Sequence, residues 1–250
     1  MATVVLFKAE PIDKSDNYVD LLEKHFKVIA IPTLDFVYKN LKELKEKLEN
    51  PKDYSGMIFT SPRSINAVVK SLEDEKLPAE WSLLKNYSVG ESSHNLAQSL
   101  LHLKTQGKEA GNAKDLANKI AKDYEEIVKD YPFLFPSGNL KQDILEKSLS
   151  VHKIQVTPIE IYETIAHLSL ETSVNKLKNL NIDFIVYFSP SGLKFTHPIL
   201  EECQFDFKSL KLIALGPSSK KAIEEQNLIC YRMCEKPTPE SLLETLLSIK

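Results

Sequence analysis

Short runs of β-branched and aromatic residues alternate with amphipathic stretches from one end of the chain to the other. Val4–Phe7 predicts a strand, Asp16–His25 a helix and Val28–Ile31 a strand. Leu41, Leu44 and Leu48 recur at helical spacing and predict a helix over Leu41–Glu49. Met57–Thr60 predicts a strand, followed by a helix over Ser64–Leu72. Further strands are expected at Tyr87–Val89, Phe133–Phe135, Ile154–Ile161, Phe184–Phe188 and Leu212–Leu215, with helices between most of them. Strands alternating with helices imply an α/β architecture with mainly parallel sheets.

The landmarks recur at a nearly constant offset. Leu6-Phe7 is matched by Leu134-Phe135, and Ser61-Pro62 by Ser189-Pro190, both 128 residues on. Pro32 is matched by Pro158, Val89-Gly90 by Leu215-Gly216, and Asn112 by Thr238, each 126 residues on. Similar turns are common in β/α proteins, but a constant spacing in a constant order is not. The pattern implies an internal duplication and hence two similar α/β domains.

The repeated turns have chemistry of their own. Ser61-Pro62-Arg63-Ser64 and Ser189-Pro190-Ser191-Gly192 each follow an apolar strand. Serine suits a helix N-cap and proline the first helical position. Gly90-Glu91-Ser92-Ser93 and Gly216-Pro217-Ser218-Ser219 read the same way. Each block sets backbone amides and hydroxyls beyond the carboxyl end of a strand, where open α/β sheets bind ligands and helix N-termini favour anions. Each block alone is equally an ordinary helix cap. Two such edges facing each other across a cleft would suit one large polyanion.

Composition narrows the choice. The 250 residues carry 32 Lys plus Arg against 35 Asp plus Glu, a formal charge of −3, so no basic excess points to nucleic acid. Arg63 and Arg232 are the only arginines, so bidentate clamps are scarce and lysines supply nearly all positive charge. The three cysteines, Cys203, Cys230 and Cys234, form no zinc pattern and no disulfide framework. No apolar run is long enough for a membrane span, and the N-terminus lacks a basic leader, so a cytoplasmic protein is expected, and a monomer because no exposed apolar repeat is evident. Gly-x-Gly-x-x-Gly, Walker, His-Glu-x-x-His and Gly-x-Ser-x-Gly motifs are all missing. His94 and His102 share one helix and are expected on its solvated side; Glu160 and Glu163, flanking Tyr162, are expected to be exposed. An enzyme built this way would act by binding and orienting a reactive substrate.

The blocks Ile58-Phe59-Thr60-Ser61-Pro62-Arg63, Val89-Gly90, Gly111-Asn112-Ala113 with Leu116-Ala117, and Leu134-Phe135-Pro136-Ser137-Gly138-Asn139-Leu140-Lys141 form an ordered series. It continues with Tyr162-Glu163-Thr164, Phe188-Ser189-Pro190-Ser191-Gly192, Leu215-Gly216-Pro217 and Pro237-Thr238-Pro239. In this order they resemble the uroporphyrinogen-III synthase family, especially its animal branch. The resemblance implies two flavodoxin-like domains with parallel sheets, joined by a two-stranded linker. Residues 1–34 plus 166–250 would form one domain and 38–160 the other, with linkers near 35–37 and 161–165.

It also implies the substrate hydroxymethylbilane, a linear tetrapyrrole polycarboxylate. The family dehydrates it, inverts ring D through a spiro intermediate and closes the macrocycle, with no metal or cofactor. Tyr162 matches the family's implicated tyrosine, and a phenol stays protonated and can donate at neutral pH. Ser93 and Ser219 stand where the family has threonines after the Val-Gly and Gly-Pro turns. Substrate contacts are expected from Ser61, Arg63, Ser64, Gly90, Ser93, Ser137, Gly138, Asn139, Ser189, Ser191, Gly192, Gly216, Ser218 and Ser219. Glu91 departs from the usually uncharged residue after that glycine. The rival reading is a non-catalytic two-domain binding protein for a small polyanion, which would share everything but a reason for Tyr162 in Tyr-x-Thr.

Overall fold

The computed structural model describes residues 1–10, 16–124, 131–140, 143–207 and 209–249. Lys141, the last residue of the Pro-Ser-Gly-Asn-Leu-Lys block, lies outside them. The strands are β1 (Thr3–Lys8), β2 (Lys27–Pro32), β3 (Leu34–Tyr38), β4 (Gly56–Phe59), β5 (Asn86–Ser88), β6 (Thr105–Gln106), β7 (Phe133–Gly138), β8 (Val156–Ala166), β9 (Phe184–Tyr187), β10 (Lys211–Ala214) and β11 (Cys230–Met233). The helices are α1 (Asn17–Leu22), α2 (Leu41–Leu48), α3 (Pro62–Leu72), α4 (Gly90–Leu101), α5 (Ala113–Asp123), α6 (Ile144–Val151), α7 (Leu170–Leu177), α8 (Pro190–Glu202), α9 (Pro217–Glu225) and α10 (Pro239–Leu247).

The chain divides into two compact units. One comprises Met1–Asp35 with Ile165–Lys250, the other Phe36–Thr164. The first carries a sheet of order β11-β10-β9-β1-β2, with β1–β2, β1–β9, β9–β10 and β10–β11 all parallel. The other sheet has the order β3-β8-β7-β4-β5-β6, with β4–β5, β4–β7, β5–β6 and β7–β8 parallel. With β3 set aside the two orders coincide, as a duplication requires: β8-β7-β4-β5-β6 matches β2-β1-β9-β10-β11. This is the flavodoxin-like 2-1-3-4-5 order. In the second unit the strands that fill its first two places, β7 and β8, come last among that unit's strands.

Parallel strands are covered on both faces, so central ones read as unbroken apolar runs. β4 and β9 are buried at every position. In β1, Val5 and Phe7 face Val174, Leu193, Leu200 and Ile223, while Val4 and Leu6 face Leu22, Leu242 and Leu246. In the second unit Met57, Phe59 and Leu134 meet Leu44, Leu48, Ile65 and Val68. Ile58, Phe133 and Phe135 meet Leu116, Ile120, Leu145 and Leu149. Each fully buried side chain of this size contributes about 1.5–3 kcal/mol.

Three strands escape the sequence pattern. β6 has two residues, and Tyr231, Arg232 and Met233 of β11 are exposed, so neither edge strand carries an apolar run. β3 exposes Asp35 and Val37 and reads as a connector. β8 starts at Val156 rather than Ile154 and runs on to Ala166.

In this topology the strand order reverses between β7 and β4 in one unit and between β1 and β9 in the other. Ligands of open α/β sheets bind outside the carboxyl ends of the strands at such a point.

Candidate active site

At the carboxyl end of β4, Ser61 takes extended backbone (φ −155°) and N-caps α3, its Oγ accepting the Ser64 N–H at 3.4 Å. Pro62 opens the helix, where its missing N–H costs nothing. The buried Ser64 hydroxyl turns back and donates to the Ser61 carbonyl at 2.7 Å.

Across the reversal point, β7 and β8 run in register until Ser137 faces Glu160; Gly138 then faces Tyr162, skipping Ile161. Such an irregularity re-aims the side chains beyond it. The Tyr162 ring lies across Gly138, where a Cβ would sit 2.3 Å from Cε2 and 2.9 Å from the hydroxyl oxygen. No other residue leaves room for the ring. The Tyr162 hydroxyl stops 3.1 Å from the Ser61 Oγ. Asn139 pins the neighbouring backbone: its N–H donates to the Tyr162 carbonyl at 3.1 Å, and its Oδ1 accepts the Thr164 N–H at 2.9 Å.

Phe36 stands edge-on to Tyr162, centroids 6.2 Å apart, and carries the Arg63 guanidinium over its face at 3.5 Å. Burial pulls the Arg63 pKa below its ordinary value, while the phenols of Tyr162 and Tyr38 act the other way. Arg63 is thus a stacked cation held beside the tyrosine. Lys39 is ion-paired with Glu160 and lies 3.6 Å from Glu163, which leaves both carboxylates partly covered rather than fully solvated.

A cavity of about 480 Å³ opens at the same carboxyl edge, lined by Thr60, Asn112, Ala113, Lys114, Phe135, Ile144 and Leu145. Asn112 N-caps α5 by accepting the Lys114 and Asp115 amides, both at 3.0 Å. Ser137 is 2% exposed and its Oγ has no hydrogen-bond partner among the described residues. Three blocks of the sequence meet at this cavity, through Thr60, Asn112-Ala113 and Phe135, although none of them alone indicates it.

The turn blocks are not equivalent. Ser61 and Ser189 each accept an amide of their own helix, Ser189 taking the Gly192 N–H at 3.1 Å. The starts of α4 and α9 have no side-chain cap. Gly90 has φ +75° and Gly216 is extended at −163°, and no atom lies within 4 Å of where a Cβ would stand on either. Ser92 and Ser218 are exposed, as is Glu91, whereas Ser93 and Ser219 are each 2% exposed. Ser93 and Ser219 therefore turn into their own units.

In the unit containing β1, Lys8 closes that strand with an ion pair to Asp16 at 2.6 Å, its ammonium 5.3 Å from the Tyr18 and Phe188 ring centroids. The partly buried Ser191 and the buried Gly192 follow Ser189 into α8, with Thr33 Oγ1 3.4 Å from a Cβ position on Gly192. His94 does not lie on the solvated side of its helix: it is half-buried, with Nδ1 2.9 Å from Thr105 Oγ1, which in turn pairs with Ser88 Oγ at 2.7 Å. His102 is exposed and forms the left-handed C-cap of α4. The three cysteines are free thiols. Among the described residues, no helix is long and apolar enough to cross a membrane.

Comparison with known proteins agrees with this fold. The family model for uroporphyrinogen-III synthase (HemD) matches residues 16–244. The uroporphyrinogen-III synthase of Schizosaccharomyces pombe is 26% identical over 255 residues, covering 99% of this chain and 97% of that protein. That of Saccharomyces cerevisiae is 26% identical over 259 residues, covering 96% and 92%. The crystal structure of uroporphyrinogen-III synthetase from Helicobacter pylori superposes over the full length of both chains with a TM-score of 0.70 at 18% identity. A mutant Thermus thermophilus uroporphyrinogen III synthase superposes with a TM-score of 0.63 at 12% identity, over 98% of this chain and 96% of that one. A family match across nearly the whole chain means that this protein belongs to the uroporphyrinogen-III synthase family.

Proposed function

We propose that the protein converts hydroxymethylbilane to uroporphyrinogen III, the cyclisation step of haem biosynthesis, with Tyr162 as the proton donor. One observation carries this reading: the Tyr162 hydroxyl is held over Gly138 and beside Ser61 at the carboxyl edge of its sheet. The uncapped backbone amides at Gly90–Ser92 in one unit, and those at Ser218–Ser219 in the other, are each suited to receive a carboxylate, with lysines adding charge. The phenol donates to the departing hydroxyl. The C–O bond breaks with its electron pair on oxygen, which takes the proton and leaves as water. Loss of the pyrrole N–H proton, which returns to the phenolate, gives the neutral azafulvene. Ring closure then needs the reacting carbons held together and the uninverted closure excluded, which is positional catalysis.

Because the azafulvene forms readily, the tyrosine assists rather than being indispensable. Tyr162→Phe keeps the ring and its packing and should lower turnover about tenfold to a hundredfold, at or below the lower end of what one general acid contributes, as suits an assisting group. Unchanged turnover in a folded variant would return Tyr162 to a packing role. A single chain supplies every group named here, so a monomer suffices.

A further inference from the structure

The geometry points to Ser61 as a positioning residue that donates its proton to the Tyr162 oxygen and so leaves the phenol proton free for the substrate. The inference rests on the reading of Tyr162 as the donor.

A hydroxyl has one proton and two lone pairs. One Ser61 lone pair faces the Ser64 N–H of α3 at 3.4 Å, so that side of the oxygen is an acceptor. The Tyr162 hydroxyl lies 3.1 Å away on another side, and either oxygen could donate. The helix position of Ser61 favours one direction, and the donor role of Tyr162 calls for it. Ser61 sits at the N-terminus of an eleven-residue helix, whose positive end draws density from its oxygen and makes it a better donor than an ordinary serine hydroxyl. If Tyr162 donated to Ser61, its only proton would be spent inside the protein. With Ser61 donating, the hydrogen bonds run one way, from the α3 amide through Ser61 to Tyr162, each polarising the next.

Ring placement makes this direction effective. Gly138 admits the ring and Phe36 flanks it edge-on, so the oxygen is fixed and only its proton can turn. The same Ser-Pro turn at Ser189 caps α8 through the Gly192 amide. The cap is common to both units; the partnership with a tyrosine hydroxyl is an addition at Ser61.

The test is steady-state kinetics on the full-length protein with hydroxymethylbilane, for Ser61→Gly, Ser61→Thr, Tyr162→Phe and the double variant Ser61→Gly/Tyr162→Phe. Glycine is tolerated at an N-cap, so Ser61→Gly removes the hydroxyl and keeps the helix start. Ser61→Gly should lower kcat about two- to tenfold, the worth of one hydrogen bond, with KM unchanged. Ser61→Thr should restore kcat. In the Tyr162→Phe background the loss of Ser61 should add nothing, since the group it orients is already gone. Multiplying effects, a rise in KM alone, or wild-type kcat in a folded Ser61→Gly alongside an impaired Tyr162→Phe would overturn the positioning role. Wild-type kcat in Tyr162→Phe, with Ser61 intact, would instead remove the donor reading on which it rests.

Discussion

Gly138 and Tyr162 occupy the same place in two senses: they face each other across β7 and β8, and a Cβ on the first would fall 2.3 Å from a ring carbon of the second. Ordinary contacts between carbons begin near 3.5 Å. One missing methyl group therefore admits the ring that carries the proposed proton donor. Gly138→Ala should push Tyr162 off Ser61. Overpacking of this kind costs about 1–3 kcal/mol, and kcat should fall at least as far as in Tyr162→Phe. Denaturant melts with parallel kinetics check both. A Gly138→Ala variant with wild-type stability and turnover would show that the ring has another seat.

Carboxylate recognition can be probed at Gly216. Its extended φ of −163° suits any residue, and a Cβ there meets nothing within 4 Å. Gly216→Leu should therefore fold normally while filling the approach to the α9 amides, raising KM by tenfold or more on the order expected for a lost anion site. Arg63→Ala removes a guanidinium already stacked on Phe36 and should raise KM only a few-fold. Isothermal titration with a non-reacting bilane gives the ranking; a larger penalty for Arg63→Ala reverses it. Gly90 is the poorer probe, because φ +75° would strain any replacement.

Alkaline stability follows from the buried phenols. Tyr187 is fully buried, with Thr196 Oγ1 at 3.4 Å, and burial raises its pKa well above the ordinary 10.0. Burial likewise raises Tyr18, Tyr38 and Tyr54. A raised folded pKa means that the folded state holds its proton where the unfolded state has lost it. The stabilisation is complete below pH 10.0 and is lost as pH climbs through the folded values. Melting temperature should fall above that point, and less steeply in Tyr187→Phe. Identical slopes in the two proteins would exclude Tyr187 as a contributor.

Much of this was legible in the sequence because parallel sheets write themselves as apolar runs. β1, β4 and β9 were found for that reason, and the Ser-Pro pairs at Ser61 and Ser189 read directly as N-caps. The edge strand β11 could not be seen, since three of its four residues face water. Nor could the irregularity opposite Gly138, because an extra residue in a ladder leaves no mark in local composition. Phe36 was missed for a similar reason: it sits in an exposed connector and gains its meaning only from the Arg63 and Tyr162 side chains brought to it. Sequence treated all four turn blocks alike. Only coordinates separate the capped pair at Ser61 and Ser189 from the open pair at Gly90 and Gly216.

The most direct test of the account is the isomer composition of the product. Hydroxymethylbilane closes without help to the uninverted type I macrocycle, so only a protein that imposes ring geometry yields type III. The purified protein, incubated with fresh hydroxymethylbilane and followed by oxidation and chromatographic separation of the porphyrins, should give predominantly type III. Type I alone, at the rate of the protein-free control, would contradict the account and leave a polyanion-binding protein on the same fold.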